Sequence, residues 1–355
     1  MNSLSEFIKT GSPLKKAHCL IGFDGFIDDI VKAVDIRDGT NYQTIPTISD
    51  FGDKIASFSG KSGNIELVAE VRKIGGNAPI LTQGLLEGGH CIALAATLGD
   101  PIDPTFSPLQ ERCETLFTLG KPGHTTAIEF MDGKVIFGEM KGILDLKAEE
   151  ILEKIPNLPS LIENCDLVAS VNWTMIPAIN ALWQLLLKTV FPKLTPKKRI
   201  FFVDLADPAK RKDDDLHQAL ELLKETERYF EVHLGLNVRE AERILSLFYP
   251  EKKTADLMQL AVEIKQATGL KQILIHSTRL ACDGVHLIET PFTEHPKLTT
   301  GAGDNFNAGY LNGVLYGMDG KEALQLGAAT ASYYVRSGKS PSLEELALFL
   351  GEWIN

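Results

Sequence analysis

Apolar residues recur along this chain with two different periods, and the period changes from segment to segment. Residues 17–23 form a nearly unbroken apolar run, short enough for one strand and apolar enough to be buried on both faces of a sheet. The run leads into Asp24-Gly25-Phe26-Ile27-Asp28-Asp29. From there to Ile74 the pattern alternates poorly with helices. Segments 30–34, 42–48 and 65–72 read as extended, with a turn at Arg37-Asp38-Gly39 and a short helix over 51–57. Gly75-Gly76-Asn77-Ala78-Pro79 is a Gly-rich turn. It precedes a helix over 80–86, a buried strand over 92–98 and a helix over 108–116. Residues 125–130 and 135–138, joined through Met131-Asp132-Gly133-Lys134, predict a hairpin.

Past residue 165 the alternation becomes regular. Strands are predicted over 166–172, 199–203, 231–236, 271–276 and 284–289. Helices are predicted over 177–189, 213–229, 238–248, 255–268 and 321–336, and directly after Asp304. Strands separated by helices imply an α/β fold with a doubly wound, mainly parallel sheet flanked by helices. The expected organisation is one domain over 1–355, with segments 31–74 and 121–141 inserted as a small β-rich lid.

Composition narrows the function. The chain is 44% hydrophobic, enough for a sizeable core, and its formal net charge of -11 argues against nucleic acid as a partner. No apolar run approaches membrane-spanning length, and the first residues lack a basic stretch followed by an apolar one, so a cytoplasmic location is expected. Cys19, Cys91, Cys113, Cys165 and Cys282 are scattered and odd in number, as free thiols in a reducing compartment would be. None of the eight histidines shows metal-ligand spacing. Among the tryptophans, only Trp173, beside Asn172 at a strand end, is placed to stack on a sugar.

Three constellations carry chemistry. In Thr299-Thr300-Gly301-Ala302-Gly303-Asp304, small residues lead into a helical pattern of Phe306, Tyr310 and Val314. Backbone N–H groups are unpaired at a helix start and the dipole is positive there, so an anion can approach Gly301, Ala302 and Gly303 closely. Asp304 either caps that helix or accepts a proton from an attacking hydroxyl. Asn237 and Glu240, about one helical turn apart, are hard oxygen ligands suited to Mg²⁺, or else an ordinary helix cap. Asp24 or Asp28, at the carboxyl end of the first strand, together with Gly75, Gly76 and Asn77, offers the acids and amides that a polyhydroxy ligand requires.

With these residues in place the chain resembles the ribokinase family of carbohydrate kinases, also called the PfkB family, from about Leu20 to Ser340. Thr299 to Gly309 looks like the family's C-terminal signature, Asn237-Val238-Arg239-Glu240 its Asn-x-x-Glu motif, and Gly75-Gly76 the turn of its N-terminal signature. The resemblance implies phosphoryl transfer from ATP to a hydroxyl of a sugar or sugar-like molecule. It implies Asp304 as catalytic base, Gly301 to Gly303 as anion hole, and Asn237 with Glu240 acting on Mg²⁺ and phosphate. It implies Asn237, Ser277, Thr300 and Ala329 at the nucleotide, and lids that pair across a homodimer. Several features depart from the pattern, two of them at single positions. Leu298 stands where many relatives carry an Asp that helps to bind a monovalent cation, and Ile80 where the N-terminal signature usually has Asn. A nucleoside kinase or ADP-dependent kinase of the same fold, and a catalytically weak ligand-binding relative, remain the alternative readings.

Overall fold

The computed structural model describes residues 3–354. Its main sheet has nine strands. In spatial order they are β6 (Thr115–Thr118), β5 (Cys91–Ala96), β1 (His18–Phe23), β9 (Leu167–Val171), β10 (Ile200–Asp204), β11 (Glu231–Asn237), β12 (Gln272–His276), β13 (Leu280–Cys282) and β14 (Leu287–Glu289). Every pair from β6 to β12 is parallel; β13 and β14 turn back antiparallel. Helices cover both faces, so central strands have no solvent side. Side chains nevertheless alternate between two cores. On β10, Phe201 and Val203 join one cluster, Ile200 and Phe202 the other.

The chain order reverses at β1. It continues to β5 and β6 on one side and to β9 through β12 on the other, which makes the carboxyl ends of β1 and β9 a topological switch point, where open α/β sheets collect ligands. A second sheet overhangs this point. It consists of β2 (Phe26–Asp38), β3 (Asn41–Thr44), β4 (Leu67–Gly75), β7 (Gly123–Phe130) and β8 (Gly133–Glu139). Its outer face is covered: Val31, Ala33 and Ile128 pack with Phe51 of the helix Ile48–Ala56.

Several elements differ from the expectations. The first lid strand begins at Phe26, directly after the Asp24-Gly25 bend, and runs unbroken to Asp38. The helix expected over 108–116 ends at Arg112, because Thr115–Thr118 is captured as an edge strand by β5, a tertiary pairing that local pattern does not encode. The strand expected over 284–289 is shortened to Leu287–Glu289, and it pairs antiparallel with an unexpected strand, Leu280–Cys282. Helices Ser3–Thr10 and Leu343–Ile354, which sequence periodicity left unread, pack together with Tyr316 and Leu326 in a third apolar cluster. No helix among the described residues is long and apolar enough to cross a membrane.

Candidate active site

The helix Ala302–Tyr316 starts beneath the switch point, and its first turn separates two cavities. One, of about 480 Å³, lies between the sheet and the lid. Thr300, Gly301 and Asp304 form its floor. Asp28 and Ile30 of β2, Thr125, Ala127 and Glu129 of β7, and Lys134, Ile136 and Gly138 of β8 form its roof. Those numbers step by two because they are the inward face of one pleated sheet. The other cavity, of about 500 Å³, lies on the far side of the same turn. Thr299, Ala302 and Gly303 line it, with Asn237, His276, Ser277, Phe292, Ala328, Ala331, Ser332 and Val335.

The turn is held from several directions. Gly301 has φ +91°, and a Cβ there would lie 2.8 Å from the Tyr334 hydroxyl oxygen, so glycine is required on both counts. That hydroxyl donates to the Thr300 carbonyl at 2.7 Å, and Asn305 Nδ2 donates to the Gly301 carbonyl at 2.9 Å. The N–H groups of Gly303 and Asp304 fall in the first turn, which has no intrahelical acceptor for them. The Ala302 N–H is directed to the Thr299 carbonyl at 3.2 Å, so of the three N–H groups expected to form an anion hole it is the one already engaged.

Asp24 and Asp28 have separate environments. Asp24 is fully buried and accepts from the Asn77 and Ala78 N–H groups and from Asn172 Nδ2, at 2.8–2.9 Å. It thereby fixes the start of the helix Asn77–Glu87, with Gly76 at φ +90° and too close to Asp24 for a side chain of its own. Asp28 lies in the sheet–lid cavity, where Thr125 Oγ1 donates to it at 2.6 Å. Gly75 is tight for the same reason, since a Cβ there would be 2.4 Å from Asp28 Oδ1. Asn77 lines the cavity as well, and so does Asn172, whose Oδ1 is buried without a hydrogen-bond partner.

Carboxylates crowd the rear wall. Asn237 and Glu240 form a reciprocal capping box at the start of the helix Val238–Phe248, with the Asn237 N–H donating to Glu240 Oε2 at 2.9 Å and the Glu240 N–H to Asn237 Oδ1 at 3.1 Å. Glu240 reaches the sheet–lid cavity and Asn237 the other one. Asp204, at the end of β10, accepts from Asn307 Nδ2 at 2.8 Å. Burial raises the affinity of Asp304 for its proton, and the Asp204, Asp24 and Glu240 carboxylates raise it further, while the Asn77 amide acts in the opposite direction. Glu240 and Asp204 are likewise raised, by burial first; Asp204 adds to the effect at Glu240 and Asp24 to that at Asp204. Such a cluster is short of positive charge. Lys73, Lys134 and Lys210 line the same cavity, and Lys134 Nζ contacts Thr300 Oγ1 across the gap between lid and turn. Burial lowers the Lys73 pKa. Sequence reading placed Lys134 only in a hairpin turn; its direction across the cleft depends on how the lid folds over.

Other expected positions land differently. Thr300 faces the sheet–lid cavity, and Thr299 takes the opposite side. Ser277 does line the second cavity, beside His276. Burial lowers the His276 pKa to about 4, and its ring lies 4.6 Å from that of Phe306. Ala329 is turned away from the cavity into the cluster of Leu4, Phe7 and Tyr316. Ala328, Ala331, Ser332 and Val335 face the cavity instead, in the three-and-four spacing of one helical face. Trp173 is not a sugar wall. It is fully buried, its Nε1 donating to Asn180 Oδ1 at 2.7 Å, with the Arg211 guanidinium 4.0 Å from its ring centre.

A switch-point cleft and a second cavity that share one Gly-Ala-Gly-Asp helix start, under a β lid, define an ATP-dependent carbohydrate kinase of the ribokinase (PfkB) type. The model of the prokaryotic ketohexokinase family matches residues 9–353, and the chain belongs to that family. It is 27% identical over 349 residues to a ketohexokinase of Haloferax volcanii, covering 95% of this chain and 91% of that protein. Among solved structures it resembles a ribokinase from Thermotoga maritima (TM-score 0.61, 18% identity, covering 95% of this chain and 100% of that one). It also resembles a phosphofructokinase-2 variant from Escherichia coli (TM-score 0.65, 13% identity, covering 96% and 99%).

Proposed function

We propose that this sugar kinase phosphorylates a ketohexose, with Asp304 as the base. The observation that carries the reading is the Gly301–Asp304 turn acting as a common wall, where a donor in one cavity and an alcohol in the other would meet. The sugar occupies the sheet–lid cavity, its hydroxyls held by Asp28, Asn77 and the open Asn172 Oδ1. One hydroxyl faces Asp304 and passes its proton to the carboxylate as the bond to phosphorus forms. The Gly303 and Asp304 N–H groups stabilise charge on the transferred phosphoryl group, and Lys134, carried by the lid, adds a positive charge from above. The purine takes the apolar cavity between Phe292 and Ala328, Ala331 and Val335. The acid-rich rear wall suits Mg²⁺: Glu240, Asn237 and Asp204 would hold the ion or its water shell, and it would neutralise phosphate charge there. Closing the lid excludes water, the competing acceptor.

The inner lid face continues beyond the cleft as exposed apolar surface. Val71, opposite Ile30 in the ladder, and Ile136 at the cleft roof are both about half exposed. A second copy of the chain would cover this face, which supports a homodimer formed through the lids, measurable by light scattering. Five free cysteines, three of them buried, fit a reducing, cytoplasmic environment.

The decisive experiment is MgATP turnover across ketohexoses, aldohexoses and nucleosides, with the product's phosphorylated position read by ³¹P NMR. The highest kcat/KM is expected for a ketohexose. An aldose or nucleoside turned over more efficiently would overturn the substrate assignment.

A further inference from the structure

At the end of the main sheet opposite the cleft, three residues far apart in sequence converge. His18 opens β1, Cys91 opens β5, and Glu114 immediately precedes β6. The parallel ladder makes His18 and Cys91 direct partners. The Glu114 N–H donates to the Ile92 carbonyl at 2.9 Å, which sets Glu114 on the next strand one residue beyond the level of Cys91. One imidazole nitrogen, one thiol sulfur and one carboxylate oxygen all lie within 4.8 Å of one another. His18 Nδ1 is 3.4 Å from Glu114 Oε2. Donor atoms bound to one tetrahedral zinc at its usual bond lengths are roughly 3.3–3.7 Å apart, so the His–Glu pair is already at the required separation and the thiol needs to move by only about an ångström.

We propose that His18, Cys91 and Glu114 bind a thiophilic divalent cation, with Zn²⁺ the ion that fits best. The donor set excludes the hard ions used in phosphoryl transfer: Mg²⁺ and Ca²⁺ take oxygen ligands, whereas thiolate with imidazole suits zinc and its neighbours in the first transition row. An ordinary surface ion pair explains His18 and Glu114 but gives no role to a partly exposed thiol beside them. The backbone of each ligand is fixed by hydrogen-bonded strands, so little ordering is required on binding. His18 and Glu114 are more than half exposed, which leaves an entry path and a fourth coordination position for water. Asp166 stands close by without being available, since its carboxylate accepts from the His18 N–H at 3.1 Å and pairs with Lys197 Nζ at 3.1 Å. The ion would tie the edge strand β6 to β5 and β1 and stabilise the folded chain by mass action, with no part in turnover at the other end of the strands.

Cobalt(II) is the probe. Metal-free protein titrated with Co²⁺ in excess Mg²⁺ should develop a near-ultraviolet thiolate-to-cobalt band saturating at one equivalent, and Zn²⁺ should abolish it by displacement. The catalytic carboxylates contain no sulfur and contribute nothing to this band. Cys91→Ser should remove the band, Glu114→Gln should weaken Co²⁺ binding at least about tenfold, and Cys113→Ser should leave the band in place. MgATP-dependent sugar phosphorylation by Cys91→Ser and Glu114→Gln should equal that of the wild type, which shows that they fold. A wild-type titration without the band, or a band that persists in Cys91→Ser, overturns the proposal.

Discussion

Replacing Asp304 by Asn separates the two demands that the site places on this residue. The substitution keeps size and hydrogen-bonding shape and removes the charge. Loss of a general base costs roughly 10²–10⁴ in rate, or about 2.7–5.4 kcal/mol in the barrier at about 1.36 kcal/mol per decade. Stability should move the other way. Burial and the Asp204, Asp24 and Glu240 carboxylates raise the folded-state pKa of Asp304. A carboxyl group raised in this way favours folding most below its unfolded pKa of about 4, and that contribution is lost as pH rises through the folded value. Asn does not titrate, so the variant's advantage should be small at pH 4–5 and grow towards pH 8. In a chain of 355 residues, each kcal/mol gained corresponds to roughly 1–2 °C in Tm. The assays are steady-state kinetics with MgATP and sugar, nucleotide affinity by calorimetry, and Tm against pH without metal. The expected result is a kcat lower by at least about a hundredfold, nearly unchanged nucleotide affinity, and a Tm gain that increases with pH. A kcat within tenfold of wild type would refute the base assignment. A Tm that falls at pH 8 would refute the account of the carboxylate cluster.

Asp28→Asn should lower kcat/KM for the sugar about 10–100-fold, the cost of one or two hydrogen bonds to a charged acceptor, with the KM for ATP unchanged; an equal rise in both KM values would place Asp28 outside the sugar site. Lys134→Ala should lower kcat about tenfold or more, as removal of a positive charge facing the transferred phosphoryl group would, and a Lys134→Arg variant should recover part of the loss. Two leucine substitutions test the orientation of the helix Gly320–Ser337. Ala331→Leu should raise the KM for ATP with little change in Tm, whereas Ala329→Leu should overpack a filled core and cost about 1–3 kcal/mol of stability; the reverse pattern would turn that helix by one residue.

Strand and helix alternation beyond residue 165 was legible because a two-residue period and a 3.6-residue period are properties of short stretches. The Gly301–Asp304 helix start was legible for the same reason: glycine spacing, an acid and an amphipathic repeat all lie within one turn or two. Local pattern failed where distant segments decide. Thr115–Thr118 is a strand because β5 offers it an open edge. Ala328 rather than Ala329 faces the second cavity because helix rotation is set by packing against Leu4, Phe7 and Tyr316. The choice between Asp24 and Asp28 was open in sequence because both end the same apolar run. Three hydrogen-bond donors bury Asp24 under the next helix, and the lid strand carries Asp28 into the cleft.

By itself, the sequence determined the periods, the helix starts and the chemical types at the turn, since these depend on neighbours within about one helical turn. The tertiary structure alone decided that Asp28 and not Asp24 enters the sheet–lid cavity, that Asp204, Asp24 and Glu240 act on Asp304, that Lys134 crosses from the lid to Thr300, and that His18, Cys91 and Glu114 meet. Each of these is a contact between strands or loops whose separation along the chain carries no local signal. Their proximity, and the charge and desolvation that follow from it, exists only once the sheet has ordered its strands.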